Sequence, residues 1–207
     1  MFITLEGPDG SGKSTHAQAL AEYLREQNWA VLLTREPGGT EIGDRIRAVL
    51  HDPQHRQMDA RTEILLYSAS RAQHVAERIR PALAAGQVVI SDRYADSTLA
   101  YQGYGRGLDL AMLRFITEFA TGGLWPDLTV CLDIAPEEGL RRRRAGGEWN
   151  RLDAEALDFH RRVRAGYLEL ARLEPARWYI IDAARAAEEV QSELRALVMA
   201  RLAGGRP

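Results

Sequence analysis

Several features common in proteins are scarce in this sequence of 207 residues. Its single cysteine, Cys131, excludes a disulfide within the chain and suits a reducing compartment. No apolar run approaches the roughly 18 residues of a membrane-spanning helix, and residues 1–6 do not resemble a signal peptide. The 27 basic and 29 acidic residues leave no basic excess for general binding to nucleic acid. We therefore expect a cytoplasmic protein whose partners are neither membranes nor nucleic acid.

Lysine is the scarcest charged residue, because it occurs only at Lys13 and every other basic residue is arginine. On a solvated surface either residue serves equally well. A compact ammonium group on a flexible stem, however, cannot be replaced by a planar guanidinium where the geometry requires a point charge. Lys13 is therefore a candidate functional residue before any motif is considered.

Short apolar runs alternate with helical patterns along the chain. The apolar runs lie at 2–6, 29–34, 87–91, 128–133 and 178–181, without the alternation of a half-exposed strand. Such strands, separated by helices, are typical of a parallel sheet covered on both faces by right-handed crossovers. The sequence predicts an α/β fold of three layers, with a five-stranded parallel sheet in a single domain, 1–207. An arginine-rich break in composition at 137–150, with a Gly-Gly pair, predicts a mobile charged insertion.

Some helix boundaries can also be predicted from single residues. Asp59 is placed to cap the helix that carries Ile64 and Leu65, and Pro81 is placed to kink or end it. Gly122 and Gly123 are expected to close the helix that starts near residue 110.

The strongest motif directly follows the first predicted strand. Residues 7–14, GPDGSGKS, match the pattern G-x-x-x-x-G-K-[ST] at the start of a helix. Glycines in this loop allow backbone N–H groups to surround phosphate oxygens. Lys13 would reach the β- and γ-phosphates, and the Ser14 hydroxyl can bind Mg²⁺. The predicted nucleotide-binding residues are Gly7, Pro8, Asp9, Gly10, Ser11, Gly12, Lys13, Ser14 and Thr15.

Nucleotide binding alone leaves several reactions open. A GTPase would need an N-K-x-D motif for guanine, which cannot occur because the chain has no lysine after Lys13. A nucleic-acid-dependent motor would usually be larger or repeated. A kinase for a small molecule requires a second site that faces the γ-phosphate, and the sequence offers candidates for one.

Polar segments follow the predicted strands, at the edge where a doubly wound sheet binds its ligands. Residues 35–40, REPGGT, follow the second strand, and residues 92–94, DRY, follow the third. Tyr67 and Arg71 lie one helical turn apart, which suits stacking on a nucleobase and donation to a base oxygen. By spacing alone, a core tyrosine beside a surface arginine is the commoner outcome. The residues that share a further helical face are Ser97, Thr98, Tyr101 and Gln102.

Taken together, these motifs resemble those of the bacterial thymidylate kinase family. The resemblance follows the family's order from about residue 3 to about residue 182 and covers the phosphate loop with Asp9, 35–40, 67–71, 92–94, 101–103 and the arginine-rich stretch 141–151. It implies the fold of P-loop nucleoside triphosphate hydrolases. It also implies Mg²⁺-dependent transfer of the γ-phosphate of ATP to dTMP, which gives dTDP for dTTP synthesis. A homodimer formed by helix packing is implied as well, with Met112, Phe115 and Phe119 as candidates for the apolar contact.

The resemblance implies a role for each residue of the acceptor site. Asp9 would hold the 3′-hydroxyl of the deoxyribose, and Tyr101 would crowd the 2′ carbon and disfavour ribose. Tyr67 would lie under the thymine ring while Arg71 donates to its O4. The implied acceptor-site residues are Asp9, Arg47, Tyr67, Arg71, Arg93, Ser97, Thr98, Tyr101 and Gln102, of which Arg47 and Arg93 would bind the phosphate and Thr98 the base edge.

Phosphoryl transfer between two anions needs positive charge and positioning, and an acceptor that is already an anion needs no strong general base. The catalytic residues that the resemblance implies are Lys13, Arg93, Arg142, Arg144 and Arg151. The last three would lie in a short arginine-rich lid at about 139–152 that closes on ATP. At helical spacing, residues 141 and 144 share a face, whereas 142 and 143 point elsewhere. Asp92 is implied to act on Mg²⁺ together with Ser14, although Asp133 at the end of the fourth strand is an alternative.

Two other functions stay open at this stage. A deoxynucleoside kinase would phosphorylate a hydroxyl and would need a carboxylate as general base, for which Glu36 is a candidate. A non-catalytic nucleotide-binding regulator would keep the phosphate loop but would have no use for Arg47, Arg71 and Arg93.

Overall fold

The structure is a computed structural model that describes residues 1–146 and 149–204 of the chain. Within these residues, five parallel strands form one sheet in the order β2-β3-β1-β4-β5. The strands are β1 (Phe2–Glu6), β2 (Val31–Arg35), β3 (Val88–Asp92), β4 (Leu128–Asp133) and β5 (Trp178–Asp182). The predicted α/β fold with five parallel strands is confirmed. Because β1 lies at the centre, the loop that follows it meets the ends of both neighbouring strands.

Nine helices cover the described part of the sheet. They are α1 (Lys13–Glu26), α2 (Glu41–His51), α3 (Ala60–His74), α4 (Arg80–Ala84), α5 (Ala95–Thr98), α6 (Leu110–Thr121), α7 (Pro136–Ala145), α8 (Leu157–Leu173) and α9 (Ala187–Gly204). Two π-helical segments, Val75–Ile79 and Leu99–Gly105, continue α3 and α5. Among the described helices, none combines the length and apolarity needed to cross a membrane.

Successive residues of the central strands pack into different apolar layers. Ile3 and Leu5 of β1 join a core formed with α1 and α9, whereas Phe2 packs with Val75 and Ile79 on the opposite face. A third cluster, which includes Tyr167 of α8, covers the β4 and β5 side of that opposite face. Since water reaches neither face of β1, all five of its residues are buried. This explains why the strands are apolar throughout rather than alternating.

The structure confirms the predicted helix boundaries at Asp59 and Gly122 and differs from the prediction at Pro81. The Asp59 side chain accepts from the backbone N–H of Arg61 at the start of α3, and Gly122 ends α6 at a φ of 59°. The helix expected to kink or end at Pro81 instead continues to Ala84. The irregularity lies earlier, in the π-helical segment Val75–Ile79, which places Pro81 in the first turn of α4. Proline has no N–H to bond to the preceding turn, and the π-helical segment there already departs from the regular α-helical hydrogen bonds.

The arginine-rich stretch begins as a regular helix. Helix α7 has Glu137 and Glu138 in its first turn and Arg142, Arg143 and Arg144 in its last turn, which is the favourable arrangement in the field of the helix dipole. Gly147 of the predicted Gly-Gly pair and Glu148 lie outside the described residues.

Candidate active site

The phosphate-binding loop connects β1 to α1. Its backbone takes positive φ values at Gly7, Gly10 and Gly12, a conformation that glycine adopts without the steric penalty of a side chain. The Lys13 Nζ donates to the carbonyl oxygens of Gly7 (3.1 Å) and Pro8 (2.7 Å), and so lies inside the loop. Burial, together with the charge of Arg93, lowers the pKa of Lys13 to about 8.

Helix α7 packs directly against this loop through two glycines. A Cβ atom at Gly10 would lie 2.0 Å from the Gly139 carbonyl oxygen, and one at Gly139 would lie 2.2 Å from the Asp9 carbonyl oxygen. Neither position therefore has room for a side chain. This contact, which the sequence motifs did not reveal, turns the Gly139 face of α7 towards the loop.

A cavity of about 740 Å³ opens beside the loop, at the carboxyl ends of β2 and β3. It brings together most of the predicted donor and acceptor residues, although they come from six separate segments of the chain. The predicted residues that line it are Asp9, Gly10, Gly12, Lys13, Ser14, Thr15, Arg47, Tyr67, Arg71, Asp92, Arg93, Ser97, Thr98, Tyr101, Gln102 and Arg142. Among the described residues, the predicted ones outside its lining are Gly7, Pro8, Ser11, Arg144 and Arg151.

Arg93 lies at the centre of the polar contacts in this cavity. Its Nη2 donates to Asp9 Oδ1 (2.6 Å) and to the Tyr101 hydroxyl (2.9 Å), and its Nη1 donates to the Tyr167 hydroxyl (2.9 Å) and Ser97 Oγ (3.2 Å). Its backbone φ of 68° is rare for a residue with a side chain. Such strain persists where the surrounding contacts impose it, often at functional sites. The guanidinium is thus held in a single orientation.

Two carboxylates that feel the charge of this guanidinium differ in acidity. Burial opposes ionisation of Asp9, but the charges of Arg93 and Lys13 outweigh it and hold the pKa of Asp9 well below its usual range. Burial and the neighbouring charge of Asp96 raise the pKa of Glu6 to about 7. Glu6 was not singled out from the sequence, where its only signal is a charged residue at the end of an apolar strand.

Arg71 is completely buried, and three of its five N–H groups are bound to the protein. Its Nε donates to Glu36 Oε2 (2.7 Å), Nη1 to Thr98 Oγ1 (2.9 Å) and Nη2 to the Tyr94 carbonyl oxygen (3.0 Å). Arg71 still lines the cavity, so the other two N–H groups can serve a ligand. The other carboxylate oxygen of Glu36 lies 3.0 Å from His74 Nδ1. Both oxygens of Glu36 are therefore engaged, which argues against a role as general base.

The two candidate metal carboxylates have different surroundings. The Ser14 hydroxyl donates to Asp92 Oδ2 at 2.5 Å, next to the phosphate loop. Asp133, by contrast, accepts two hydrogen bonds of 2.7 Å from Arg164 Nε and Nη2. This bidentate pair occupies both Asp133 oxygens, so the contacts favour Asp92 as the metal carboxylate.

Within α7, the arginines divide by the face on which they lie. Arg142 and Arg143 follow Gly139 by three and four residues, so they share its face and line the cavity. Arg142 Nη1 donates to the Ala183 carbonyl oxygen at 3.1 Å. Arg144 lies over the ring of Trp149, with its Cζ 5.2 Å from the ring centroid. Arg143 therefore lines the cavity, whereas Arg144, which the sequence interpretation had placed there, does not.

Arg151 is bound on the far side of the acceptor region. It is buried, its Nε donates to the Leu50 carbonyl oxygen at 3.0 Å, and it forms an ion pair with Glu63. Glu63 also accepts from Gln102 Nε2 at 2.8 Å and pairs with Arg106. Arg151 and Gln102 are therefore connected through one buried carboxylate.

Three further side chains complete the wall of the cavity. Arg47 Nη1 donates to the Pro37 carbonyl oxygen (2.9 Å), which fixes the side chain to the loop after β2. Burial and the charge of Arg47 lower the pKa of His51 to about 3, so His51 is neutral at physiological pH. Burial and the charge of Glu63 raise the pKa of Tyr67, which keeps its hydroxyl protonated. The cationic groups of this wall are thus arginines rather than histidine.

The chain is similar to known proteins over nearly its whole length. The family model described as thymidylate kinase matches residues 5–194. Similar curated relatives, each named thymidylate kinase, include proteins from Roseiflexus sp. (53% identical, covering 98% of this chain and 95% of the relative) and Deinococcus radiodurans (53% identical, 97% of both). The crystal structure of thymidylate kinase from Ehrlichia chaffeensis is 34% identical, with a TM-score of 0.78 over 96% of this chain and 98% of that one.

Proposed function

The chain belongs to the thymidylate kinase family, and from this premise we propose that it phosphorylates dTMP to dTDP with ATP as donor and Mg²⁺ as cofactor. The enzyme is a nucleoside monophosphate kinase and supplies the diphosphate needed for dTTP. The same proposal places it in the cytoplasm. The observation that carries the proposal is the single cavity shared by the phosphate loop and the acceptor-site residues.

The charges around the cavity suit a reaction between two anionic phosphates. Lys13, Arg47, Arg93 and Arg142 line it, and each contributes a positive charge where phosphates of the donor or acceptor would approach. Arginine forks bind phosphate oxygens in pairs, and Lys13 acts as a point charge within the loop. The acceptor phosphate is itself the nucleophile, so catalysis consists mainly of positioning and charge stabilisation.

For dTMP, each part of the acceptor nucleotide has a proposed partner. Arg47 and Arg93 bind its phosphate, Asp9 its 3′-hydroxyl, and Tyr67 and Arg71 its base, with Ser97, Thr98 and Gln102 beside them. Tyr101 closes the space next to the 2′ carbon. The contacts of Arg93 with Asp9 and Tyr101 support this arrangement, because they hold the sugar and phosphate ligands in one rigid group.

The residues next to the phosphate loop fit a magnesium ion. Mg²⁺ prefers oxygen ligands and is usually held by one or two side chains together with substrate phosphates. The Ser14 hydroxyl and the Asp92 carboxylate provide such oxygens within 2.5 Å of each other. In the described residues, no group of three or more His, Cys, Asp or Glu side chains forms a metal cage. The bound ion would neutralise charge on the phosphates while Ser14 and Asp92 orient it.

We also propose that the enzyme works as a homodimer. Phe119 of α6 is 86% exposed and Phe115 is 75% exposed, with Met112 on the same helix face. On the neighbouring helix α3, Leu65 is exposed as well. An apolar surface of this kind supports contact with a second copy of the chain.

The activity can be tested by measuring ADP release from MgATP with dTMP, thymidine, dUMP, dGMP or no acceptor. We expect release with dTMP and little with thymidine. Activity with thymidine but not dTMP would identify a nucleoside kinase, and ATP binding without turnover of any acceptor would identify a regulator. Lys13→Ala and Lys13→Arg should both abolish transfer without loss of folded structure, which controls for contaminating kinases.

A further inference from the structure

We propose that His74 is a positioning residue, which acts through Glu36 to hold the guanidinium of Arg71 in the orientation that reads the acceptor base. This inference rests on the proposed function, because it takes Arg71 as the residue that contacts thymine. The observation behind it is a continuous chain of contacts from half-buried Thr34 of β2, through α3, to the buried side chain of Glu36 in the loop that follows β2.

The chain of contacts involves four side chains. Arg71 donates to Glu36 Oε2 at 2.7 Å, Glu36 Oε1 lies 3.0 Å from His74 Nδ1, and His74 Nε2 lies 2.6 Å from Thr34 Oγ1. His74 has no solvent exposure, Arg71 is 1% exposed, and Glu36 is 5% exposed. A buried charge pair of this kind is sensitive to its remaining hydrogen bonds, because water cannot replace a lost partner.

The chemistry of the groups assigns the protons. The carboxylate of Glu36, which is paired with Arg71, can only accept, so the hydrogen in its contact with His74 lies on Nδ1. In the neutral ring, Nε2 then accepts from the hydroxyl of Thr34. Glu36 thus selects this tautomer, the Thr34 hydroxyl satisfies the remaining ring nitrogen, and Glu36 presents its second oxygen to Arg71.

The absence of a side chain at Gly39 leaves room for the contact between Thr34 and His74. Gly39 has a φ of 81°, and a Cβ at this position would lie 2.7 Å from Thr34 Oγ1 and 2.9 Å from His74 Nε2. Any residue with a side chain would therefore displace the histidine. The sequence motif GG within residues 38–39 is explained in part by this contact.

The orientation of Arg71 matters because of what the base presents to it. Thymine carries an acceptor, O4, where cytosine carries a donor, the N4 amino group. A guanidinium held rigidly towards that position favours thymine and opposes cytosine, whereas a mobile one distinguishes them less. His74 is therefore expected to affect both affinity for dTMP and discrimination against dCMP.

Two substitutions at His74 separate this role from simple packing. In His74→Asn, the side-chain amide nitrogen takes the place of Nδ1 and can still donate to Glu36. In His74→Gln, the nitrogen takes the place of Nε2 and the donor to Glu36 is lost. We expect His74→Gln to raise KM for dTMP about tenfold, with kcat and KM for ATP near wild type, since about one hydrogen bond to a charged group is affected. His74→Asn should stay within about threefold of wild type.

The preference for dTMP over dCMP gives a readout that loss of stability alone would not change. We expect the ratio of kcat/KM for the two nucleotides to fall in His74→Gln and to be preserved in His74→Asn. Equal behaviour of the two variants, or a loss of kcat with an unchanged ratio, would show that His74 only fills space and would overturn the inference.

A second pair of variants keeps the test decisive if His74→Gln does not fold. Thr34→Val removes the hydroxyl that bonds Nε2 of His74 and leaves this buried nitrogen without a partner, and Thr34→Ser keeps the hydroxyl as a matched control. We expect Thr34→Val to raise KM for dTMP and to lower the preference for dTMP over dCMP. Thr34→Ser should resemble wild type in both. Identical selectivity in the two variants would overturn the inference. Wild-type turnover of dTMP is measured first, and its absence would overturn the proposed function itself.

Discussion

At the scale of single residues, the environment of Lys13 explains why one lysine was kept in a chain that otherwise uses arginine. Its Nζ reaches two carbonyl oxygens of the loop, at 2.7 and 3.1 Å, from within a ring only a few residues wide. A planar guanidinium is wider than an ammonium and presents its donors in a fixed fork. The position therefore suits a compact point charge.

This environment makes ATP binding dependent on pH. Because burial and Arg93 lower the pKa of Lys13 to about 8, the free enzyme loses this positive charge as the pH rises through that value. We expect kcat/KM for ATP to decrease above about pH 8, since this ratio reports groups of the free enzyme. At saturating ATP the decrease in kcat should occur at higher pH, because bound phosphates favour the charged ammonium. A kcat/KM that is flat up to about pH 10, the ordinary range of lysine, would contradict the expectation.

Tyr101 allows a test of sugar selection. Its hydroxyl donates to Asp9 Oδ2 at 2.6 Å, and its ring lies against the Arg93 guanidinium, with 4.9 Å from Cζ to the ring centroid. We expect Tyr101→Ala to narrow the preference for dUMP over UMP, because removal of the ring leaves space for a 2′-hydroxyl. Tyr101→Phe is the matched control, since it keeps the ring and should keep the preference. The measurement is the ratio of kcat/KM for the two acceptors, and an unchanged ratio in Tyr101→Ala would remove Tyr101 from this role.

At the scale of secondary-structure elements, the contact between α7 and the phosphate loop decides which arginines reach the cavity. Gly139 packs against Asp9 and Gly10, so the residues one helical turn later face the same way. Helical spacing divides the four consecutive arginines between faces, but it does not show which face meets the phosphate loop, and the Gly139 contact decides this. The family resemblance favoured Arg142 and Arg144, whereas the cavity is lined by Arg142 and Arg143.

The helix rotation predicts unequal effects of neighbouring substitutions. We expect Arg142→Ala to lower kcat at least tenfold with little change in KM for dTMP, because an arginine that stabilises the transferring phosphate can contribute about 10³–10⁵ in rate in the best cases. Arg141→Ala is the control, since Arg141 is exposed and pairs only with Glu138 among the described residues. Single-turnover rates would measure the effect, and equal losses in both variants would mean that α7 contributes diffuse charge only.

Arg151 is expected to affect the stability of the protein, because its contacts are with the Leu50 carbonyl oxygen and Glu63, outside the cavity lining. It pairs with buried Glu63, which keeps Arg106 as a second partner. We expect Arg151→Ala to lower the free energy of unfolding by about 1–3 kcal/mol, the cost of leaving buried polar groups without a partner. Arg144→Ala, at an exposed position, should change it by less than about 0.5 kcal/mol. Urea denaturation measures both. Unchanged stability with a large loss of kcat in Arg151→Ala would instead support the catalytic role that the resemblance implied.

At the scale of the whole molecule, the most unusual feature is an exposed apolar surface on α6 and α3. Phe115 and Phe119 are 75% and 86% exposed, and Leu65 is 59% exposed, although the rest of the large apolar residues are mostly buried. The active-site cavity lies on the other side of α3, whose residues Tyr67 and Arg71 line it. A dimer formed through this surface would therefore contact α3 on the side opposite to the acceptor site.

The oligomeric state can be tested on this surface. We expect the enzyme to sediment as a dimer and the double variant Phe115→Asp and Phe119→Asp to sediment as a monomer, since two buried charges without partners would oppose association. Leu173→Asp is the control, because Leu173 of α8 is 51% exposed but lies on a different helix. A wild-type protein that stays monomeric at micromolar concentration would contradict the proposed homodimer.

The amino-acid sequence alone determined the features that depend on local pattern. Apolar runs separated by helical periods are enough for a parallel sheet with covered faces, and the spacing of residues 7–14 is enough for a phosphate loop after β1. Capping by Asp59 and closure by Gly122 also depend on a few adjacent residues, and both were predicted. The effect of Pro81 on its helix was not predicted correctly, because the preceding π-helical segment shifts the start of α4 and has no distinct sequence pattern.

The tertiary structure determined the features that depend on contacts between residues far apart in the sequence. Asp92 and Asp133 both end apolar strands, yet Asp92 accepts from Ser14 and Asp133 accepts from Arg164, so packing gives the two carboxylates different partners. The bonding of Glu36 to both Arg71 and His74, 35 and 38 residues away, was likewise not readable from local pattern. A side chain's chemistry is set by its residue type, but its partners are set by the chain fold, and those partners determine its charge, orientation and use.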